Sequence, residues 1–86
     1  MNYQFPRTRF VDGNGLTSQL DHVLSEVFEA IESSHTPNLF HTVEEIVDAY
    51  HSLETLLRIL EEDYKVDLEL AFNKVHHKNK HRGYYT

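Results

Sequence analysis

The sequence predicts an all-α protein: an antiparallel bundle of about three helices per chain, completed by oligomerisation. Three observations predict it. Apolar residues recur at helical spacing over three successive segments, so each lines one face at 3.6 residues per turn. Nowhere do apolar and polar residues strictly alternate through a β-branched run, so no strand competes. The chain has 86 residues and no cysteine, and a core of that size is only marginally stabilising without disulfides, metal or a partner chain.

Residues 1–15, MNYQFPRTRFVDGNG, have no sustained period, contain Pro6 and close on a DGNG turn. They read as an N-terminal arm whose Tyr3, Phe5 and Phe10 are free to dock on the domain or a partner. Residues 16–86 form the helical domain. Leu20, Val23, Leu24, Val27, Phe28 and Ile31 make the first stripe; Thr17 or Ser18 is a cap candidate, and Pro37 ends the helix by disfavouring helical geometry in the residue before it. Thr42 followed by Glu45 is a capping-box pattern for the second helix. Its stripe runs through Val43, Ile46, Val47, Tyr50, Leu53 and Leu57 to about Asp63. At helical spacing within these stripes, Phe28 and Tyr50 are expected in the core. YKVD breaks the chain, Asp67 caps a third helix, and Leu68, Ala71, Phe72 and Val75 give it a narrower stripe ending near Gly83.

The formal net charge is −6, which argues against a general nucleic-acid binder, since phosphate contacts need clustered Lys and Arg. The charge is uneven: an acidic body from Asp21 to Glu69 is followed by Lys74, Lys78, Lys80 and Arg82. Such a chain suits an anionic ligand met by cations. Zero cysteines remove thiol catalysis and zinc-thiolate sites and fit a reducing compartment. No apolar run reaches the roughly 20 residues of a membrane span, and no secretory h-region is present, so the cytoplasm is the default. The DGNG turn lacks the Lys-Ser or Lys-Thr of a phosphate loop.

The acids carry the sharper signal. On the first helix Glu26 and Glu29 lie about 60° apart, away from the apolar arc; on the second, Glu45 and Asp48 do the same. If the helices run antiparallel, both pairs flank the short connection at 33–41. Four convergent carboxylates repel unless a cation lies among them, and hard divalent ions such as Mg²⁺ take oxygen donors of this kind. Because these acids face away from the apolar stripes, a deep site predicts a dimer that buries the carboxylate faces in a shared bundle.

The order Glu26-x-x-Glu29 then Glu45-x-x-Asp48 resembles the ExxE…ExxD signature of the MazG-like, all-α nucleoside triphosphate pyrophosphohydrolases. LSEVFEAIE, EEIVDAYHSLETLL and VDLELAFNKVHHKNKHRGYY are similar to that family's two acidic helices and its closing helix. One departure is Ser25, where many members carry a further acid. The resemblance implies homodimers or homotetramers in which Glu26, Glu29, Glu45 and Asp48 ligate Mg²⁺, or Mn²⁺, with any one of them able instead to orient the attacking water. It implies hydrolysis of (d)NTP to (d)NMP and pyrophosphate, with Lys74, Lys78, Asn79 and Arg82 as candidates for the triphosphate or sugar. The alternative is a small helical interaction protein that retains the fold without catalysis.

Seven histidines are present. His77 and His81 have the i, i+4 spacing of a chelate but no supporting motif. His22, His41 and His51 read first as solvated side chains, with a place beside the acids or substrate as the alternative.

Overall fold

The computed structural model describes residues 1–86. It contains four helices and no strand: α1 (Phe10–Gly13), α2 (Leu16–Ser34), α3 (Leu39–Tyr64) and α4 (Leu68–His81). The all-α expectation holds. None of the helices is long and apolar enough to cross a membrane.

α2 and α3 form an antiparallel hairpin across a tight link. Pro37 acts as expected, and Thr36 closes the end of α2 by donating its hydroxyl to the Ser33 carbonyl at 2.7 Å. The cap of α3 is Asn38, whose side chain accepts the His41 N–H at 3.0 Å, rather than Thr42. Asn38 satisfies an orphan donor one turn earlier, which frees Thr42 for another task. Thr42 is buried and its hydroxyl pairs with that of Ser33 at 3.0 Å, tying the hairpin together. At the other end Gly15 precedes α2 without a side-chain cap, so Thr17 and Ser18 lie in the first turn instead of starting it. Asp67 caps α4 as expected, accepting the Leu70 N–H at 3.0 Å. The break before it turns on Lys65, whose φ of 56° reverses the chain.

The seam between α2 and α3 is polar and narrow. Gln19, Ser33, Thr42, Ser52 and Thr55 are all buried there or beside it. Gln19 donates its amide N–H to the Ser52 carbonyl at 3.0 Å and accepts from Asn14 at 2.9 Å, so its burial leaves neither polar end unpaired. The apolar core is correspondingly small: Val11, Ala49, Leu56, Ile59 and Leu68.

The stripes expected to make an intrachain core are largely exposed instead. Leu24, Val27 and Ile31 of α2 and Ile46 and Leu53 of α3 remain 38–54% exposed, and Phe28 and Tyr50 exceed half. The helices meet along the polar flank of each stripe, where Gln19 and Ser33 of α2 bond to Ser52 and Thr42 of α3. α4 also stands off: it packs extensively against neither α1 nor α2, and of its apolar residues only Leu68 is buried.

The first fifteen residues are docked, not loose. Glu54, 5% exposed, accepts the backbone N–H groups of Gln4 and Phe5 at 2.8 and 2.9 Å. Arg58 donates to the Phe5 carbonyl at 2.6 Å and stacks over the Tyr3 ring at 4.0 Å. Tyr3 donates to Glu61 at 2.8 Å, an arrangement that, with burial as the larger cause, pushes its phenol up to about 12. Arg7 bridges Glu62 and Asp12, holding both carboxyls below their usual range. Val11, at 2% exposure, anchors α1, which packs on α3. The arm therefore forms a third layer on α3.

Candidate metal centre

The antiparallel hairpin decides where the acids go. Glu26 and Glu29 rise from the second half of α2, Glu45 and Asp48 from the first turns of α3, and the short link sets them at matching heights. One carboxylate oxygen from each of Glu26, Glu29 and Glu45 lies within 4.8 Å of the others. Three of the four acids singled out by spacing thus converge on the polar side of the seam.

Asp48 stands beside this group. It shares a cleft of about 280 Å³ with Glu26 and lies close enough for its charge to act on that residue. Burial is the main reason that the Glu26 carboxyl binds its proton more tightly than usual; the charges of Glu29 and Asp48 add to the effect, and His22 opposes it. A half-buried carboxylate facing other carboxylates is an anion in want of a counter-charge.

Two histidines brace the cluster. His22 Nε2 lies 3.4 Å from Glu26 Oε1, and His41 Nε2 lies 3.3 Å from Glu45 Oε1, each one turn back on its own helix. The paired side chains of Glu26 and Glu45 are each 18% exposed. The spacing His-x-x-x-acid-x-x-acid occurs once in each helix, at 22–29 and again at 41–48, so the hairpin makes the two copies face one another. These histidines fix carboxylate rotamers while the remaining oxygens stay available.

The cleft next to the acids is roofed by the docked N-terminal segment. Thr8 and Phe10 line it together with His22, Glu26, Asp48 and His51. Thr8 is pinned by a hydroxyl contact with Thr55 at 3.2 Å. His51 stacks on Phe5 with centroids 4.1 Å apart and an interplanar angle of 14°. Its Nε2 is buried without a hydrogen-bond partner.

The four basic-end candidates lie elsewhere. Lys74, Lys78, Asn79 and Arg82 sit on α4 or at its end, and none lines the cavities flanked by the acids. Arg82 faces the Tyr84 ring at 5.9 Å, and the Asn79 carbonyl accepts the Tyr84 N–H at 3.1 Å. His77 and His81 lie edge to face with centroids 6.4 Å apart.

Glu54 went unremarked in the sequence although a signal was there. On a helical wheel it falls inside the apolar arc of α3, between Val47 and Tyr50. A carboxylate in an apolar arc calls for a buried donor, and the arm's N–H groups supply two. Comparison of the chain with protein-family models, with curated proteins and with solved structures found no match to any of them.

Proposed function

We propose that this chain is a Mg²⁺-dependent nucleoside triphosphate pyrophosphohydrolase of the MazG-like kind, converting a (d)NTP to its monophosphate and pyrophosphate as a homodimer or homotetramer in the cytoplasm. The convergence of Glu26, Glu29 and Glu45 on the hairpin seam carries the proposal. The order and spacing of the four acids, and the likeness of the three helical segments, support the family.

The donor set fits a hard divalent ion. All three convergent groups offer carboxylate oxygen, and Mg²⁺ favours a few such ligands with substrate phosphates completing its shell. Mn²⁺ accepts the same donors. When bound, the ion neutralises phosphate charge and makes water acidic enough to attack at neutral pH.

The chain's own residues supply the rest. On this proposal Asp48, exposed and lining the cleft, would accept a proton from the attacking water, while Glu26, Glu29 and Glu45 would hold the ion. His22 and His41 orient Glu26 and Glu45. The cleft under Thr8 and Phe10 offers hydroxyl, imidazole and aromatic groups to the part of the substrate beyond the phosphates. Lys74, Lys78, Asn79 and Arg82 lie apart from the acids within one chain, so on this proposal they meet the triphosphate from a neighbouring protomer.

The test is pyrophosphate release from a panel of canonical and modified (d)NTPs with Mg²⁺, Mn²⁺ or EDTA. Glu45→Ala and Asp48→Ala are expected to remain folded and to lose more than about a hundredfold in rate, beyond the usual effect of changing a group that merely supports a ligand. Absence of metal-dependent release from every nucleotide, or activity indifferent to both substitutions, would overturn the proposal. It would favour a non-catalytic helical interaction protein, for which the exposed apolar stripes are the supporting observation.

A further inference from the structure

The acid face repeats itself. His22, Glu26 and Glu29 on α2 are matched by His41, Glu45 and Asp48 on α3, each pair nineteen positions apart. Because the helices run antiparallel, each of two hollows of about 280 Å³ receives the histidine and glutamate of one helix and the remaining acid of the other. His22 and Glu26 share the first with Asp48; His41 and Glu45 share the second with Glu29. The two hollows offer the same donors.

Distance gives the imidazoles a use beyond bracing. The Nε2 atoms of His22 and His41 stand 3.4 and 3.3 Å from Oε1 of Glu26 and of Glu45, outside the range of about 2.7–3.2 Å for an N–H···O hydrogen bond. Two donors each ~2.1 Å from one ion stand roughly 3.0 Å apart at an octahedral angle and roughly 3.4 Å apart at a tetrahedral one. The observed separations are close to those of co-ligands. Both imidazoles are open to solvent, at 39% and 52% exposure, so an ion can reach them. A second observation comes from His51 in the wall of the first hollow, whose Nε2 is buried without a hydrogen-bond partner. A buried nitrogen of that kind calls for a water or an ion.

We infer that the acid face is a two-ion centre for borderline transition metals such as Mn²⁺, Co²⁺ or Zn²⁺, in which His22 gives a nitrogen to one ion and His41 to the other. This rests on the metal reading of the proposed function and changes the class of ion: carboxylates alone suit Mg²⁺, whereas imidazole suits the first-row transition metals. One ion is held by His22, Glu26 and Asp48, the other by His41, Glu45 and Glu29. The 4.8 Å convergence of Glu26, Glu29 and Glu45 brings the two half-sites together, on the scale of the roughly 3.5 to 4 Å between the ions of two-metal sites. The zero cysteine count leaves no thiolate to compete for such ions.

Mn²⁺ is the probe, titrated into the full chain and followed by electron paramagnetic resonance. Two ions per chain are expected, with nitrogen hyperfine coupling from imidazole in the pulsed spectra. His22→Ala and His41→Ala each replace an exposed helical side chain with a strong helix former, so helical circular dichroism is expected to be retained. Each is expected to halve the nitrogen coupling and to weaken one Mn²⁺ by at least about tenfold, the lower end of what even a supporting residue costs a metal site. Mg²⁺ affinity, read by calorimetry, is expected to change far less. His77→Ala, in the histidine pair of α4, is expected to alter none of these. Mn²⁺ bound without nitrogen coupling, coupling lost only in His77→Ala, or a single ion per chain overturns the inference and leaves the carboxylate site and the hydrolase reading standing. Absence of any bound divalent ion overturns both.

Discussion

Replacing Glu26 with Gln removes one charge from the middle of the acid cluster while keeping the side chain's size. The oxygens of Glu26, Glu29 and Glu45 lie within 4.8 Å of one another. At that separation two unit charges repel by about 3.5 kcal/mol at an effective dielectric near 20. Glu29 is exposed, so solvent screening takes most of that away. The lost contact with His22, itself 39% exposed, subtracts a few tenths more. The net expectation in EDTA at pH 7 is a gain of ~1 kcal/mol, or about 4–8 °C in melting temperature for a domain of this size. The sign follows from the Glu26 carboxyl, whose proton affinity is raised in the folded state. Its protonated form contributes stability that is complete below its ordinary value of 4.5 and is lost as pH rises through the higher folded value. The advantage of the Gln variant therefore grows across that window and vanishes in acid. Mg²⁺ reverses the order: at a hundredfold excess over its dissociation constant it stabilises the parent by about 2.7 kcal/mol, and the variant by much less. Urea unfolding followed by circular dichroism, at pH 7 and pH 4, with EDTA or Mg²⁺, reads all four states. A Gln variant less stable than the parent at pH 7 in EDTA would refute the claim of uncompensated repulsion, and a parent indifferent to Mg²⁺ would refute the metal.

Two further outcomes test the docked arm. Glu54→Gln leaves one oxygen to accept from Gln4 or Phe5 and turns an N–H toward the other, so it is expected to cost about 2 kcal/mol, the penalty of an unpaired buried donor; proteolysis N-terminal to Phe10 is expected to accelerate in parallel, and an unchanged cleavage rate would show that Glu54 does not hold the segment. Tyr3 is expected to ionise near pH 12 in an absorbance titration. Its raised value means that its contribution is complete below 10 and lost as pH rises through about 12. Tyr3→Phe, which removes the bond to Glu61, is expected to lower stability at neutral pH by about 1 kcal/mol, measured by urea unfolding.

What the sequence by itself determined was everything that depends on neighbours along one helix. The 3.6-residue recurrence marks α2, α3 and α4, Asp67 caps α4 through its own first turn, and Pro37 stops α2 from beyond its end. The pairing of Glu26 with Glu29 and of Glu45 with Asp48 on common faces is likewise local, and a short antiparallel link is enough to set the pairs opposite one another. Legible too, once the two stretches are aligned, is the repeated placement of His22 and His41 one turn before Glu26 and Glu45.

Only the tertiary structure decided which flank of each helix meets the other. A wheel shows that a stripe is apolar but not what covers it. Here Gln19 bonds across the seam to Ser52 and Ser33 to Thr42, and Val27, Ile31 and Ile46 are left facing out. That choice places the carboxylates on the seam and turns Thr42 from a cap into a buried tie. It also lets Glu54 gather the arm, an interaction between residues some fifty positions apart. Contacts of that separation are set by packing and by the need to pair every buried donor, and neither is written in a local period.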